Sequence, residues 1–92
     1  MKRISFSKHA LLQATLRGAT EAQIAETITK GKWTPAHTGK LRAEKQFDFF
    51  DKSPVNLKYY KYKIIEAIFA DEEDEIVVVT VKVFYFNKGA AL

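Results

Sequence analysis

Lys58–Phe86, KYYKYKIIEAIFADEEDEIVVVTVKVFYF, decides the fold. Lys58–Ala70 is rich in Tyr, Ile and Phe, and Ile76–Phe86 is β-branched and aromatic almost throughout. Both read as strands. Between them lie five consecutive acids, Asp71–Glu75, which read as a solvated turn. The acids lack the glycine and the ligand spacing of a calcium-binding loop. The pair is therefore a long antiparallel hairpin. A turn centred near Glu73 pairs residues whose numbers sum to about 146. That register sets Ile65, Ala67 and Phe69 beside Val77, Val79 and Val81, a nearly apolar face on which helices can lie. The other face carries Tyr62, Ile64, Glu66 and Ile68 beside Val78, Thr80, Lys82 and Phe84. It is too apolar to be left wholly to water, so either a homodimer through the sheet or a fold-over of earlier strands should cover it.

Upstream of the hairpin, Leu41–Phe50 alternates. Leu41, Ala43, Lys45, Phe47 and Phe49 fall on one side, and Arg42, Glu44, Gln46 and Asp48 on the other, as in a half-buried strand. DKSPVN, Asp51–Asn56, is a loop by composition. Lys32–Thr38 contains Pro35 and is an edge strand or an irregular loop. Ile4–Phe6 could form a short edge strand, and Asn87–Leu92 reads as a frayed tail.

Two helices fill the remainder. Ser7–Gly18, SKHALLQATLRG, has Ser7 to cap its start and Gly18 to take the left-handed position past its end. Its residues other than one stripe are nearly all apolar, so it should be buried over most of its circumference. The stripe is His9, Gln13 and Arg17, spaced i, i+4, i+8. Thr20-Glu21-Ala22-Gln23 is a capping-box pattern. Ala22, Ile24, Ala25 and Ile28 continue a helical stripe to about Lys30, and Gly31 ends it. The chain, 1–92, is then one α+β domain. Two N-terminal helices pack on one face of a mostly antiparallel, three- to five-stranded sheet.

Composition narrows the chemistry. With 47% hydrophobic and 28% charged residues, 92 residues can form one small core. The absence of cysteine excludes disulfides, zinc–thiolate sites and thiol nucleophiles, and suits the cytoplasm. MKRISFSKHALL has neither the long apolar segment nor the cleavage site of a signal peptide, and no run is long enough to span a membrane. No metal or cofactor motif occurs. Net charge is +4, distributed unevenly. Residues 1–46 carry nine Lys/Arg against three acids. Residues 47–92 carry six Lys against eight acids, five of them in the turn. Such a basic body favours polyanions, nucleic acid first, although a merely solvated surface has the same composition.

His9 with Arg17 is the minimum equipment for cleaving RNA through its own 2′-hydroxyl. The imidazole would move the proton and the guanidinium would stabilise charge on phosphorus. The competing reading is structural: His9 bonded to a neighbouring strand and Arg17 to a carboxylate. Lys61, Lys63 and Tyr85 form a second group, with Lys61 opposite Tyr85 in the expected register. Interleaved with Tyr59 and Tyr62, they suit base stacking and phosphate contact, or simply reach solvent from strand ends. His37, Lys40, Arg42 and Lys45 make a basic stretch that need not converge.

FSKHALLQATLRGATEAQIAETITKG, with the closing hairpin, resembles a family of small prokaryotic domains of unknown function, family 4258. There a short strand leads to Ser/Thr-x-His-Ala, here Ser7 and His9-Ala10. A residue one turn on (Gln13), then Arg17-Gly18, then a second helix starting at Thr20-Glu21 complete the pattern. The resemblance spans Ile4 to Phe86. That family is grouped by fold with RelE-like and BrnT-like ribonuclease toxins. The resemblance implies a RelE-like α+β fold and an RNA-directed toxin activity with an antitoxin protein as partner. It places His9 and Arg17 in the site; in the endoribonuclease reading those two are catalytic, and Gln13, Lys61, Lys63 and Tyr85 are the expected substrate contacts. The expected function is a metal-independent endoribonuclease. The alternative is a non-catalytic, dimeric module that binds nucleic acid or protein.

Overall fold

The computed structural model describes residues 2–88. The tail expected at Asn87–Leu92 lies outside the described residues from 89 onward. The chain runs β1 (Arg3–Phe6), α1 (Lys8–Arg17), α2 (Glu21–Lys30), β2 (Thr34–Pro35), β3 (Leu41–Lys52), β4 (Tyr59–Asp71) and β5 (Glu75–Phe86). The strands form one sheet in the order β1-β5-β4-β3-β2. β1 runs parallel to β5 and every other pair is antiparallel. Both helices lie on one face, so the α+β architecture is as expected.

Local chemistry explains the helix ends. Ser7 Oγ accepts from Ala10 N at 3.0 Å, and Gly18 is left-handed at φ 87°. Thr20 and Gln23 close a reciprocal capping box, Gln23 N to Thr20 Oγ1 at 3.0 Å and Thr20 N to Gln23 Oε1 at 3.2 Å. Gly31 ends α2 for a different reason from Gly18. Its backbone is extended, at φ −77°, and a Cβ there would meet Thr27 O at 2.5 Å and Glu44 O at 2.8 Å. Gly31 is small because the exit from α2 crosses tightly against β3.

The core lies between the helices and the sheet. Ile24 and Ile28 of α2 and Ala10 and Ala14 of α1 meet Ile65, Ala67, Phe69, Val78 and Val81, all buried. Ile4 and Phe6 of β1 close one side. Trp33 packs edge-on against Phe69, with centroids 4.9 Å apart, and its indole N–H donates to Ile28 O at 2.8 Å.

Two expectations are corrected. The hairpin register is offset by two residues over most of its length, with Ile65 opposite Val83 and Ala67 opposite Val81. It shifts between Ile68–Thr80 and Phe69–Val78, leaving Val79 unpaired on β5. This bulge turns Ile76 and Val78 into the core in place of Val77 and Val79. The second correction concerns α1. It is not buried around most of its circumference: only Ala10 and Ala14 are buried, while Leu12 and Leu16 are 58% and 62% exposed.

Among the described residues, no helix covers the far face of the sheet. Ile64 and Ile68 are nevertheless buried, and an Arg42–Glu66 ion pair (Nε to Oε2, 3.4 Å) runs across that face. Long polar side chains shield part of the apolar surface that the sequence leaves to a partner.

Candidate nucleic-acid interface

The stripe on α1 meets the sheet at one residue. β1 pairs with β5 only as far as Phe6–Val78. Ser7 N then donates to Val78 O at 2.9 Å, and beyond that point no strand among the described residues lies on the outer side of β5. Gln13 and Arg17 take over. Val81 N donates to Gln13 Oε1 at 2.8 Å, and Arg17 Nη1 donates to Val81 O at 2.8 Å. An i, i+4 pair on a helix thus satisfies both backbone groups of one buried residue of β5, groups that would be costly to leave unpaired.

The end of α1 is held as firmly. Tyr85 OH donates to Arg17 O at 2.5 Å. Lys63 Nζ donates to Gly18 O at 2.6 Å and to Gln23 Oε1 at 3.0 Å. The lysine is buried, its ammonium sits against the negative end of the α1 dipole, and it lies 5.2 Å from the Phe49 ring centroid. Burial pushes Lys63 below the ordinary lysine value. Burial raises the Tyr85 phenol above its ordinary value, and a hydrogen bond to the Ser53 side chain partly opposes this. Any side chain at Gly18 would strike Tyr85 OH and Pro54, so the corner tolerates only glycine.

Each expected site residue therefore has a definite place. Gln13, Arg17, Lys63 and Tyr85 are brought together along β5, and all four bond backbone or neighbouring polar atoms of the fold. His9 is exposed on α1. It lies two turns from Arg17, roughly 12 Å along the axis at 1.5 Å per residue. Lys61 does not face Tyr85; Lys63 does. Lys61 is exposed, and its backbone N–H donates to Asn87 Oδ1 at 2.9 Å. His37 is exposed in the loop after β2, Lys45 pairs with Glu26 at 3.1 Å and Arg42 with Glu66, so this basic stretch does not converge.

A different cluster forms where three strand ends meet. Lys52 of β3 pairs with Tyr59 of β4. Asn87, following β5, donates from Nδ2 to Tyr59 O at 3.4 Å while accepting from Lys61 N. Around this line Lys52, Lys58, Lys61 and Lys88 are exposed, and none is in an ion pair among the described residues. Aromatic rings flank them. Phe50, Tyr62 and Phe86 form a row with centroid spacings of 6.0 and 5.5 Å. Phe49, Tyr85 and Tyr60 form another at 5.0 and 5.6 Å. Tyr59 and Phe50 are 53% and 54% exposed. A bulge between Asp48 and Asp51 produces this end of β3, with Phe50 at φ 50°, a strained conformation for an aromatic residue. The acidic turn Asp71–Glu75 lies at the other end of the β4–β5 hairpin, where Asp71 and Glu75 pair with Lys2 and Arg3. Sequence reading found Lys61 and Tyr59 but missed Lys52, Lys58 and Lys88, which only the register gathers.

No family model, curated protein or solved structure matches the chain. Among the described residues no group of three or more His, Asp and Glu could hold a metal ion, and no helix is long and apolar enough to cross a membrane.

Proposed function

We propose that this chain is a non-catalytic nucleic-acid-binding module that takes single-stranded RNA on the basic, aromatic end of its sheet. The observation that carries this reading is the convergence of Lys52, Lys58, Lys61 and Lys88 around exposed Tyr59 and Phe50. Lysines free of ion pairs can follow a phosphate backbone, and aromatic faces stack on any base. The charge is also separated along the β4–β5 hairpin, basic at one end and acidic at the other, which orients a polyanion towards the lysines. An RNA-directed role accords with the resemblance to family 4258, which is grouped by fold with RelE/BrnT-like toxins, and a partner antitoxin belongs to the same proposal.

Binding is favoured over cleavage because the equipment for cleavage is dispersed. Arg17 and Gln13 are bonded to Val81, and His9 is two turns away from Arg17. A general acid/base must lie within hydrogen-bond reach of the proton it moves, about 3 Å, while the charge stabiliser contacts the same phosphate. The endoribonuclease reading keeps one support: His9 is exposed and has no bonded partner among the described residues.

Fluorescence anisotropy of a labelled single-stranded RNA tests the proposal. Affinity should fall with salt, with a log–log slope of roughly 0.7 per phosphate contact. Lys58→Gln and Lys61→Gln should each reduce that slope by about one contact. Salt-independent binding, or none, would sink the reading.

A further inference from the structure

We infer that the β3–β4 loop, residues 53–58, is a docking tip for an anionic lipid surface. The inference goes beyond the RNA reading. It shares lysines with that site but stands on Val55 and Leu57, aliphatic side chains that offer no ring to a base. Val55 is 63% exposed and Leu57 74%. The loop that presents them is firmly built. Ser53 is buried; its N–H donates to Lys58 O at 2.9 Å, its carbonyl accepts from Leu57 N at 2.8 Å and its Oγ from Val55 N at 3.1 Å. Lys58 N donates to Asn56 Oδ1 at 3.0 Å, and Asn56 Nδ2 donates to Tyr60 OH at 2.9 Å. Pro54 seats the loop against the end of α1, where a Cβ on Gly18 would meet its ring at 2.9 Å. Leu57 is held at φ 62°, a left-handed conformation that Asn or Gly adopts at lower cost. Folding gains little from leucine here, by burial or by backbone preference, so its apolar surface is left for a contact outside the chain.

The surroundings select the contact. Lys52, Lys58, Lys61 and Lys88 are exposed around the loop, and none is in an ion pair among the described residues. Between positions 49 and 65 the only acid is Asp51, whose Oδ1 accepts from Lys52 N at 2.7 Å. Phe50 and Tyr59 stand half-exposed where the strands enter the loop. A bilayer interface takes up each of these groups. Aliphatic tips enter the acyl boundary, aromatic rings sit at headgroup level, and lysines reach the phosphates from long stems. A bilayer also demands no matching shape. A protein partner does, and two side chains on a short loop fall far below the roughly 800 Å² per side of a standard interface. A second copy matches no better: its acidic turn exposes Asp71, Glu72, Glu73 and Asp74, with nothing apolar to cover Val55 and Leu57.

Co-sedimentation with phosphatidylcholine vesicles, with and without phosphatidylserine, tests the inference. Vesicles containing phosphatidylserine should bind the protein, and pure phosphatidylcholine should bind it at least about tenfold more weakly. Leu57→Asn, which suits the left-handed backbone, should weaken vesicle binding about tenfold, and Val55→Ser about fivefold, neither lowering the melting temperature. Both should leave the affinity for single-stranded RNA unchanged. Lys58→Gln should weaken vesicle binding about fivefold and weaken RNA as well. Vesicle binding that depends on Leu57 and Val55, in a protein that binds no RNA, would uphold the inference and remove the RNA reading. Four results would overturn the inference: no binding to phosphatidylserine vesicles, equal binding to both kinds of vesicle, vesicle binding that neither loop variant weakens, or a Leu57→Asn protein that loses RNA as strongly as vesicles.

Discussion

Val81 shows how a polar helix residue can be structural. Its N–H and C=O are satisfied by Gln13 and Arg17, because β1 stops short and leaves that part of the β5 edge without a strand. Gln13→Ala should destabilise the fold by about 1–3 kcal/mol, since it leaves the N–H of buried Val81 unsatisfied. His9→Ala should stay within about 0.5 kcal/mol, as expected for an exposed residue with no bonded partner among the described residues. Urea denaturation of the two variants measures the contrast. The corner residues predict a pH response with opposing signs. Lys63 has a lowered value in the folded state, so the unfolded chain binds more protons between that value and the ordinary lysine value. Its contribution to stability rises with pH through that window. Tyr85 has a raised value, so its contribution is full below the ordinary tyrosine value and is lost as pH rises through the folded one. In Tyr85→Phe the alkaline loss should shrink and the gain from Lys63 emerge; in Lys63→Met only the loss should remain. Denaturant midpoints from neutral to alkaline pH check both.

The elements differ in how far residue pattern alone reveals them. Both helices were legible because their caps are written locally: Ser7, Gly18 and the Thr20–Gln23 box are readable without tertiary information. The hairpin was legible from β-branched runs either side of a five-acid turn. Its bulge at Val79 was not, because a run of valines looks the same on either face and only packing against Phe69 distinguishes Val78 from Val79. The orientation of α1 was also hidden. Hydropathy sends leucine inward, but the close seat of α1 on the sheet admits alanine at positions 10 and 14. This orientation predicts an inversion of the usual substitution pattern. Leu16→Ala should change stability by less than about 0.5 kcal/mol, whereas Ala14→Leu should cost about 1–3 kcal/mol by overpacking. Thermal melts of the two variants decide the matter, and the reverse order would mean that α1 sits the other way round.

Across the whole molecule, the site was legible in part. The sequence shows a basic body with an acidic interruption, and the fold converts that distribution into a direction. Lys52, Lys58, Lys61 and Lys88 are spread over 37 positions of chain and become neighbours only because β3, β4 and β5 end at one level. The His9–Arg17 pair was legible as a stripe, yet a stripe fixes only a shared direction, not a shared target, and Arg17 is bonded to the sheet. Binding is therefore separable from cleavage, and the two can be followed in one sample. A labelled single-stranded RNA is titrated with wild type, His9→Ala and Lys58→Gln/Lys61→Gln. Anisotropy and chain length are read together. The expected result is salt-sensitive binding that His9→Ala leaves intact and the double lysine variant weakens, with the RNA at full length throughout. RNA shortened by wild type but not by His9→Ala would contradict it.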